Sequence, residues 1–198
     1  MSERADLYFS ADIEADGPIP GPYSMLSFGF VVAARFDGHN FETRDPEEET
    51  FYRELQPISD SFDPEALQVG GLDRDLLIRE GTLPTDAMSE AAVWVDRTAG
   101  DDRAILVAFP ASFDWLYLYW YFVRFSRHGS PFDFSSCLDM KTIFQQRAMV
   151  VTDRAGLNDL SPELNPERSH THNALDDALR QAEIFQRLWN WRPQGRGS

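Results

Sequence analysis

A chain of 198 residues with one cysteine, Cys137, is long enough for one domain with its own core and can form no internal disulfide. Its formal charge of −15, from 18 basic and 33 acidic residues, opposes the broad electrostatic grip of nonspecific duplex binders; any nucleic-acid partner is short, single-stranded or held locally. No secretion-type series opens the chain, and its most apolar run, Phe113 to Phe125, is interrupted by Asp114 and Arg124 and too short for a bilayer span of roughly 20 residues, so a soluble cytoplasmic protein is expected.

Leu7 to Ile13 alternates, with Leu7, Phe9, Ala11 and Ile13 on one face and Tyr8, Ser10 and Asp12 on the other, which predicts a strand. Ser24 to Phe36, rich in Phe and Val, predicts a second. Between them Gly17-Pro18-Ile19-Pro20-Gly21-Pro22 must be irregular, because its prolines carry no N–H for a ladder, and a loop there would overhang the end of the first strand. Thr50 to Leu55 reads as a third strand, with Asp37 to Glu49 as its hairpin loop. Short helices are expected at Asp63 to Leu67 and Asp73 to Glu80, and a clearer one from Thr85 to Thr98 with Ala87, Ala91, Trp94 and Val95 on one face.

Ala104 to Phe109 is a continuous apolar run between Asp101-Asp102-Arg103 and Pro110, the pattern of a central strand buried on both faces. Helices follow over Phe113 to His128, ended by Gly129, and over Asp139 to Met149, with Ser136 to Leu138 as a short strand between them. The last helix opens on Asn173 as N-cap with Asp176 at N3, and its apolar stripe runs through Ala174, Ala178, Ala182, Phe185 and Trp189. The series predicts an α/β fold: a mixed central sheet, three antiparallel strands then parallel strands, with helices on both faces. One domain over 1–191 and a disordered tail, Arg192 to Ser198, are expected.

Asp12 and Glu14 lie two apart and so leave the same face of a regular strand. A like-charge pair among Phe9, Ala11 and Ile13 is costly unless a cation sits there, and oxygen-only ligands suit Mg²⁺ or Mn²⁺ over zinc. An Asp-x-Glu triplet by itself is commonly a solvated strand face, and an acid such as Asp114, after a strand and before an aromatic helix, is commonly a cap or first-turn residue. What distinguishes Asp114 is its place at the end of a buried strand, where ligands gather in α/β sheets.

Three segments carry a family resemblance: Tyr8-Phe9-Ser10-Ala11-Asp12-Ile13-Glu14, Phe109-Pro110-Ala111-Ser112-Phe113-Asp114, and His172-Asn173-Ala174-Leu175-Asp176-Asp177-Ala178. In that order, and over nearly the whole chain, they resemble the motifs of the DEDDh 3'-5' exonucleases of the RNase H-like superfamily. The third segment is the most specific, since His-x-Ala-x-x-Asp-Ala fixes several positions at the head of one amphipathic helix. His170 and Asp176 offer a competing pair, but Ala174, two residues after His172, selects His172 with Asp177; His170 and Asp176 are then a loop and a cap residue.

The resemblance implies an RNase H-like fold, two divalent metal ions (Mg²⁺ or Mn²⁺), and release of nucleoside 5'-monophosphates from the 3' end of single-stranded or short DNA or RNA. It implies that Asp12 bridges both metals, that Glu14 and Asp177 complete one site, that Asp114 supports the second largely through water, and that His172 is the general base. Imidazole suits that task because its ordinary pKa of about 6.5 lies near working pH. Ala15 to Tyr23, with Trp115, become candidates to contact the terminal nucleotide, whereas Tyr117, Trp120 and Tyr121 read as packing. Analogy with relatives that pair also allows a homodimer. The Gly-Pro stretch after Glu14 and the aromatic helix after Asp114 depart from proofreading subunits and oligoribonucleases, which leaves the subfamily open. Two rivals are a noncatalytic nucleic-acid-binding or scaffold protein on the same fold and an RNase H or transposase-type endonuclease; the full set of five residues argues against the first, and the His172-to-Asp177 motif against the second.

Overall fold

Strand β1 (Asp6–Ala15) is the axis of the molecule, and its alternation decides what lies on either side. In this computed structural model, which describes residues 4–193, Leu7, Phe9, Ala11 and Ile13 belong to one apolar core and Tyr8 to a second on the opposite face. Antiparallel to β1 runs β2 (Met25–Phe36), which also pairs antiparallel with β3 (Phe41–Thr43) and β4 (Thr50–Glu54). On the other side β5 (Arg103–Ala108) runs parallel to β1, and β6 (Cys137–Asp139) parallel to β5. The order β3-β2-β1-β5-β6, with β4 also on β2, is the mixed sheet expected from the sequence.

Short helices α1 (Pro64–Gly70) and α2 (Arg74–Glu80), capped by Asp63 and Asp73, precede α3 (Pro84–Ala99) and α4 (Ala111–Phe125). The last two cover the Phe9 face: Ala87, Ala91 and Val95 of α3 and Leu118, Tyr121 and Phe122 of α4 share its core with Phe28 and Phe30. The opposite face is covered by α5 (Met140–Ala148) and α6 (Ala174–Asn190), whose Phe144, Ala178, Ala182 and Phe185 pack with Tyr8, Val31 and Val107. Asn173 caps α6 as expected, its side chain accepting from the Leu175 and Asp176 N–H groups. No helix among the described residues is long and apolar enough to cross a membrane.

Two element expectations need correcting. The stretch from Asp37 to Glu49 is not all loop: the Asp37 carboxylate accepts from the His39 and Asn40 N–H groups and closes a tight turn that returns Phe41–Thr43 as β3. Phe41 then stacks on Trp189 at 4.4 Å, a partner far off in sequence. Helix α4 starts two residues earlier than expected and ends at Phe125 rather than running to His128. Pro110 sets its start, and beyond Ser126 the Arg127 N–H donates to Ser89 Oγ of α3 at 3.1 Å, which draws the chain out of the helix. The tail expected at Arg192 to Ser198 lies, from residue 194 onward, outside the described residues.

Helix α6 can sit against the sheet only because of one glycine. Gly29 of β2 is the register partner of Asp12, and a Cβ there would lie 2.7 Å from the Ala174 carbonyl oxygen and 2.8 Å from the Leu175 Cα. The first turn of α6 therefore rests directly on the backbone beside Asp12. Deeper in, Ser10 Oγ donates to the Ala178 carbonyl at 2.8 Å and fixes the height of the helix along β1. Gly29→Ala is expected to lower stability by about 1–3 kcal/mol in urea unfolding, because backbone rather than a flexible side chain must give way.

Candidate active site

Near the end of β1, Asp12 and Glu14 face the first turn of α6, which delivers Asp177. One carboxylate oxygen from each of Asp12, Glu14 and Asp177 lies within 4.8 Å of the others. Asp177 is 2% exposed; its Oδ1 accepts from the Thr171 N–H at 3.1 Å, and its Oδ2 is buried with no hydrogen-bond partner. Asp114 arrives from the other side of the sheet, in the first turn of α4, where its buried Oδ1 accepts from the Ile13 N–H at 3.2 Å. The sequence-predicted acids thus meet at one end of the sheet, three as a tight cluster and Asp114 beside them.

Burial raises the pKa of Asp12 well above the ordinary carboxylate range, and the charges of Asp114, Glu14 and Asp177 push it further; the Gln181 amide pulls the other way. Glu14 is pushed up to about 8, by burial first and then by Asp177 and Asp114. Burial also carries Asp114 up to about 7, against the stabilising Ile13 N–H. Among the described residues no arginine or lysine pairs with any of the four. Buried acids without a cationic partner cost free energy until they are protonated or a cation joins them. The donor set, carboxylate oxygens with one of them orphaned, fits a hard divalent cation such as Mg²⁺ or Mn²⁺.

The two histidines lie side by side ahead of α6, with His170 in the loop expected of it. It is His170 whose Nδ1 lies 2.8 Å from Asp177 Oδ1. His172 is exposed, has a positive φ of 58°, and meets the His170 ring at a centroid distance of 4.2 Å. Asp176 is the first-turn acid expected of it, and its carboxylate accepts from Thr171 Oγ1 at 3.3 Å.

Three further features complete the surroundings of the site, and the first, Gln181, has no counterpart in the sequence expectations. Gln181, one turn after Asp177, donates from Nε2 to Asp12 Oδ1 at 2.7 Å. Asp16 continues the every-second-residue acidic series of β1, yet it is fully buried and paired to Arg74 Nε at 3.1 Å, while also accepting from the Ser24 N–H. That pair, with Tyr117 Oη donating to the Gly17 carbonyl at 2.6 Å, pins the Gly-Pro loop. Beside Glu14 the loop, α1 and α4 form an open cavity of about 360 Å³ lined by Ala15, Pro18, Val69 and Phe113, with Asp63 and Glu65 also on its wall. Trp115 is not part of this lining; it stacks on Tyr119 at 4.9 Å and packs against the core.

Residues 73–189 match the model of the 3'-5' exoribonuclease Rv2179c-like domain. The chain is 35% identical over 186 residues to the 3'-5' DNA exonuclease Cap18 of Escherichia coli, which covers 93% of this chain and 92% of that protein. Among solved structures, the nuclease domain of 3'hExo, a DEDDh family member bound to rAMP, has a TM-score of 0.67 at 14% identity, covering 93% of this chain and 91% of that one. S. pombe Pop2p in its Mg²⁺- and Mn²⁺-bound form has a TM-score of 0.59 at 17% identity, covering 90% and 81%. The structural likenesses bear on the fold, which is RNase H-like, and the sequence matches bear on the family. The chain belongs to the Rv2179c-like 3'-5' exoribonuclease family and is a 3'-5' exonuclease.

Proposed function

We propose that the chain hydrolyses the terminal phosphodiester at the 3' end of single-stranded or short DNA or RNA and releases nucleoside 5'-monophosphates. In this reading Asp12, Glu14, Asp114 and Asp177 hold two divalent cations, Mg²⁺ or Mn²⁺, and His172 is the general base. The observation that carries it is Asp177 Oδ2, a carboxylate oxygen buried without a donor beside Asp12 and Glu14. When bound, two such ions stabilise charge on the attacking and leaving oxygens of an in-line displacement at phosphorus.

The chain's own residues supply the rest. Asp12 has an oxygen within 4.8 Å of Glu14 and Asp177 and also feels the charge of Asp114, which suits it to serve both cations. Asp114 is steadied by the Ile13 N–H, so the second position is tied to the same strand. His172, exposed and just ahead of the α6 N-cap, takes the proton of the attacking water as the phosphorus–oxygen bond to the leaving 3' oxygen breaks. The 2.8 Å contact of His170 with Asp177 favours one alternative, in which His170 takes that proton.

The cavity beside Glu14 suits the terminal nucleobase, with Pro18 and the 39% exposed Phe113 as apolar walls. Stacking on such a ring is worth roughly 1–3 kcal/mol per base and is indifferent to sequence. The family description names an exoribonuclease and the 35% identical relative a DNA exonuclease, so both sugars are taken as substrates.

Asp12→Ala and Asp177→Ala are expected to reduce hydrolysis of a 3'-labelled oligonucleotide to background while still unfolding cooperatively; full activity in both would sink the metal-site reading. His172→Ala should lose about 10²–10⁴-fold in rate with cation binding retained. Unchanged turnover in that variant, with the loss appearing in His170→Ala, would move the base to His170.

Stability should also depend on pH in a definite direction. Between the ordinary carboxylate pKa and about 8, folded Glu14 keeps a proton that the unfolded chain has released. The native state then binds more protons than the unfolded state, and stability falls as pH rises through that window. Thermal melts in EDTA should show Tm decreasing from pH 5 to pH 8, and the increase given by Mg²⁺ should grow over the same range.

A further inference from the structure

Gln181 is a buried polar side chain, 3% exposed, to which none of the motifs assigns a task. It sits four residues after Asp177, on the same face of α6. Its amide is used at both ends: Nε2 donates to Asp12 Oδ1 at 2.7 Å, and Oε1 accepts from the Phe109 N–H, also at 2.7 Å. Phe109 follows β5 directly and leads through Pro110 into α4, which carries Asp114. One neutral side chain therefore spans the strand bearing Asp12, the helix bearing Asp177 and the connection leading to Asp114.

We infer that Gln181 is a positioning residue for the cation site, holding Asp12 in the orientation that presents its free lone pairs to a cation shared with Glu14 and Asp177. The inference rests on the metal-site reading above. A carboxylate oxygen has two acceptor directions, so one N–H on Oδ1 fixes the rotation of the group and leaves Oδ2 and the second direction of Oδ1 available. The anchoring is rigid, because the Phe109 N–H holds the far end of the amide and sets which end is donor and which is acceptor. The neutrality of the amide matters as much as its geometry. An ammonium or guanidinium in its place would orient Asp12 equally well but would compensate its charge, and a divalent cation would then compete with a built-in partner. Gln181 orients the ligand and leaves the charge for the metal, as second-layer hydrogen bonds commonly do at metal sites.

The test is direct Mn²⁺ binding, read from the electron paramagnetic resonance signal of the free ion, together with Tm in EDTA. It compares the unaltered chain, Asp177→Asn, Gln181→Leu and Gln181→Lys. Gln181→Leu removes both hydrogen bonds; the expected result is an Mn²⁺ dissociation constant raised about 10–100-fold. Gln181→Lys should weaken Mn²⁺ binding at least as much while melting higher in EDTA than Gln181→Leu, because the ammonium offsets Asp12. Mn²⁺ affinity within twofold of the unaltered chain in Gln181→Leu would overturn the inference and leave Gln181 as a support for Phe109 alone. Should Gln181→Leu fail to fold, undiminished Mn²⁺ affinity in Gln181→Lys overturns it instead. Failure of the metal-site reading looks different: Asp177→Asn would then bind Mn²⁺ as the unaltered chain does.

Discussion

Holding Asp12, Glu14, Asp114 and Asp177 beside one another, two of them buried and two partly buried, with no arginine or lysine among the described residues as partner, is the constraint on which the rest of this molecule depends. Left alone, the group would pull protons from solvent or push the elements carrying it apart, and the upward shifts of Asp12, Glu14 and Asp114 express that cost. The fold withstands it by clamping β1 from both sides. Leu7, Phe9, Ala11 and Ile13 are buried against α3 and α4, while the opposite face is tied residue by residue to α6 through Tyr8, Ser10 and Asp12. Gly29 lets α6 approach closely enough for Asp177 to reach the cluster. The apolar cores thereby sustain an electrostatic arrangement that a divalent cation can relieve.

The same economy of charge bears on the substrate. In a chain of formal charge −15, several arginines are engaged within the protein: Arg74 on buried Asp16, Arg35 on Asp102, Arg168 on Glu47 and Glu183, and Arg180 on the Arg168 carbonyl. They brace loops rather than form a basic track for a long duplex. In the proposed reading, grip falls to the cations at the scissile phosphate and to the apolar cavity beside Glu14, both local and indifferent to sequence. A short or single-stranded 3' end meets those requirements.

Much of this was legible in the chain because the informative signals are local. The alternation of β1 placed Asp12 and the core residues on opposite faces, and Asn173 with its capped turn fixed the register of Asp177. What escaped the sequence depends on contacts between distant segments. Phe41–Thr43 is a strand because Phe41 has Trp189 to lie against, and α4 stops where it does because Ser89 captures the Arg127 N–H. Asp16 finds its charge partner, Arg74, fifty-eight residues on, through the fold alone. Gln181 carries no local signal, since its two partners lie on β1 and just past β5. The histidine contact is of the same kind: it is His170, seven residues before Asp177, whose Nδ1 the fold sets 2.8 Å from that carboxylate.

The central claim, that these carboxylates are kept together to hold divalent cations, is tested most directly by the anomalous difference map of a crystal soaked in Mn²⁺. The account predicts two peaks about 4 Å apart, one among Asp12, Glu14 and Asp177 and the other between Asp12 and Asp114. A well-ordered site with no peak within reach of Asp12 and Asp177 would contradict it.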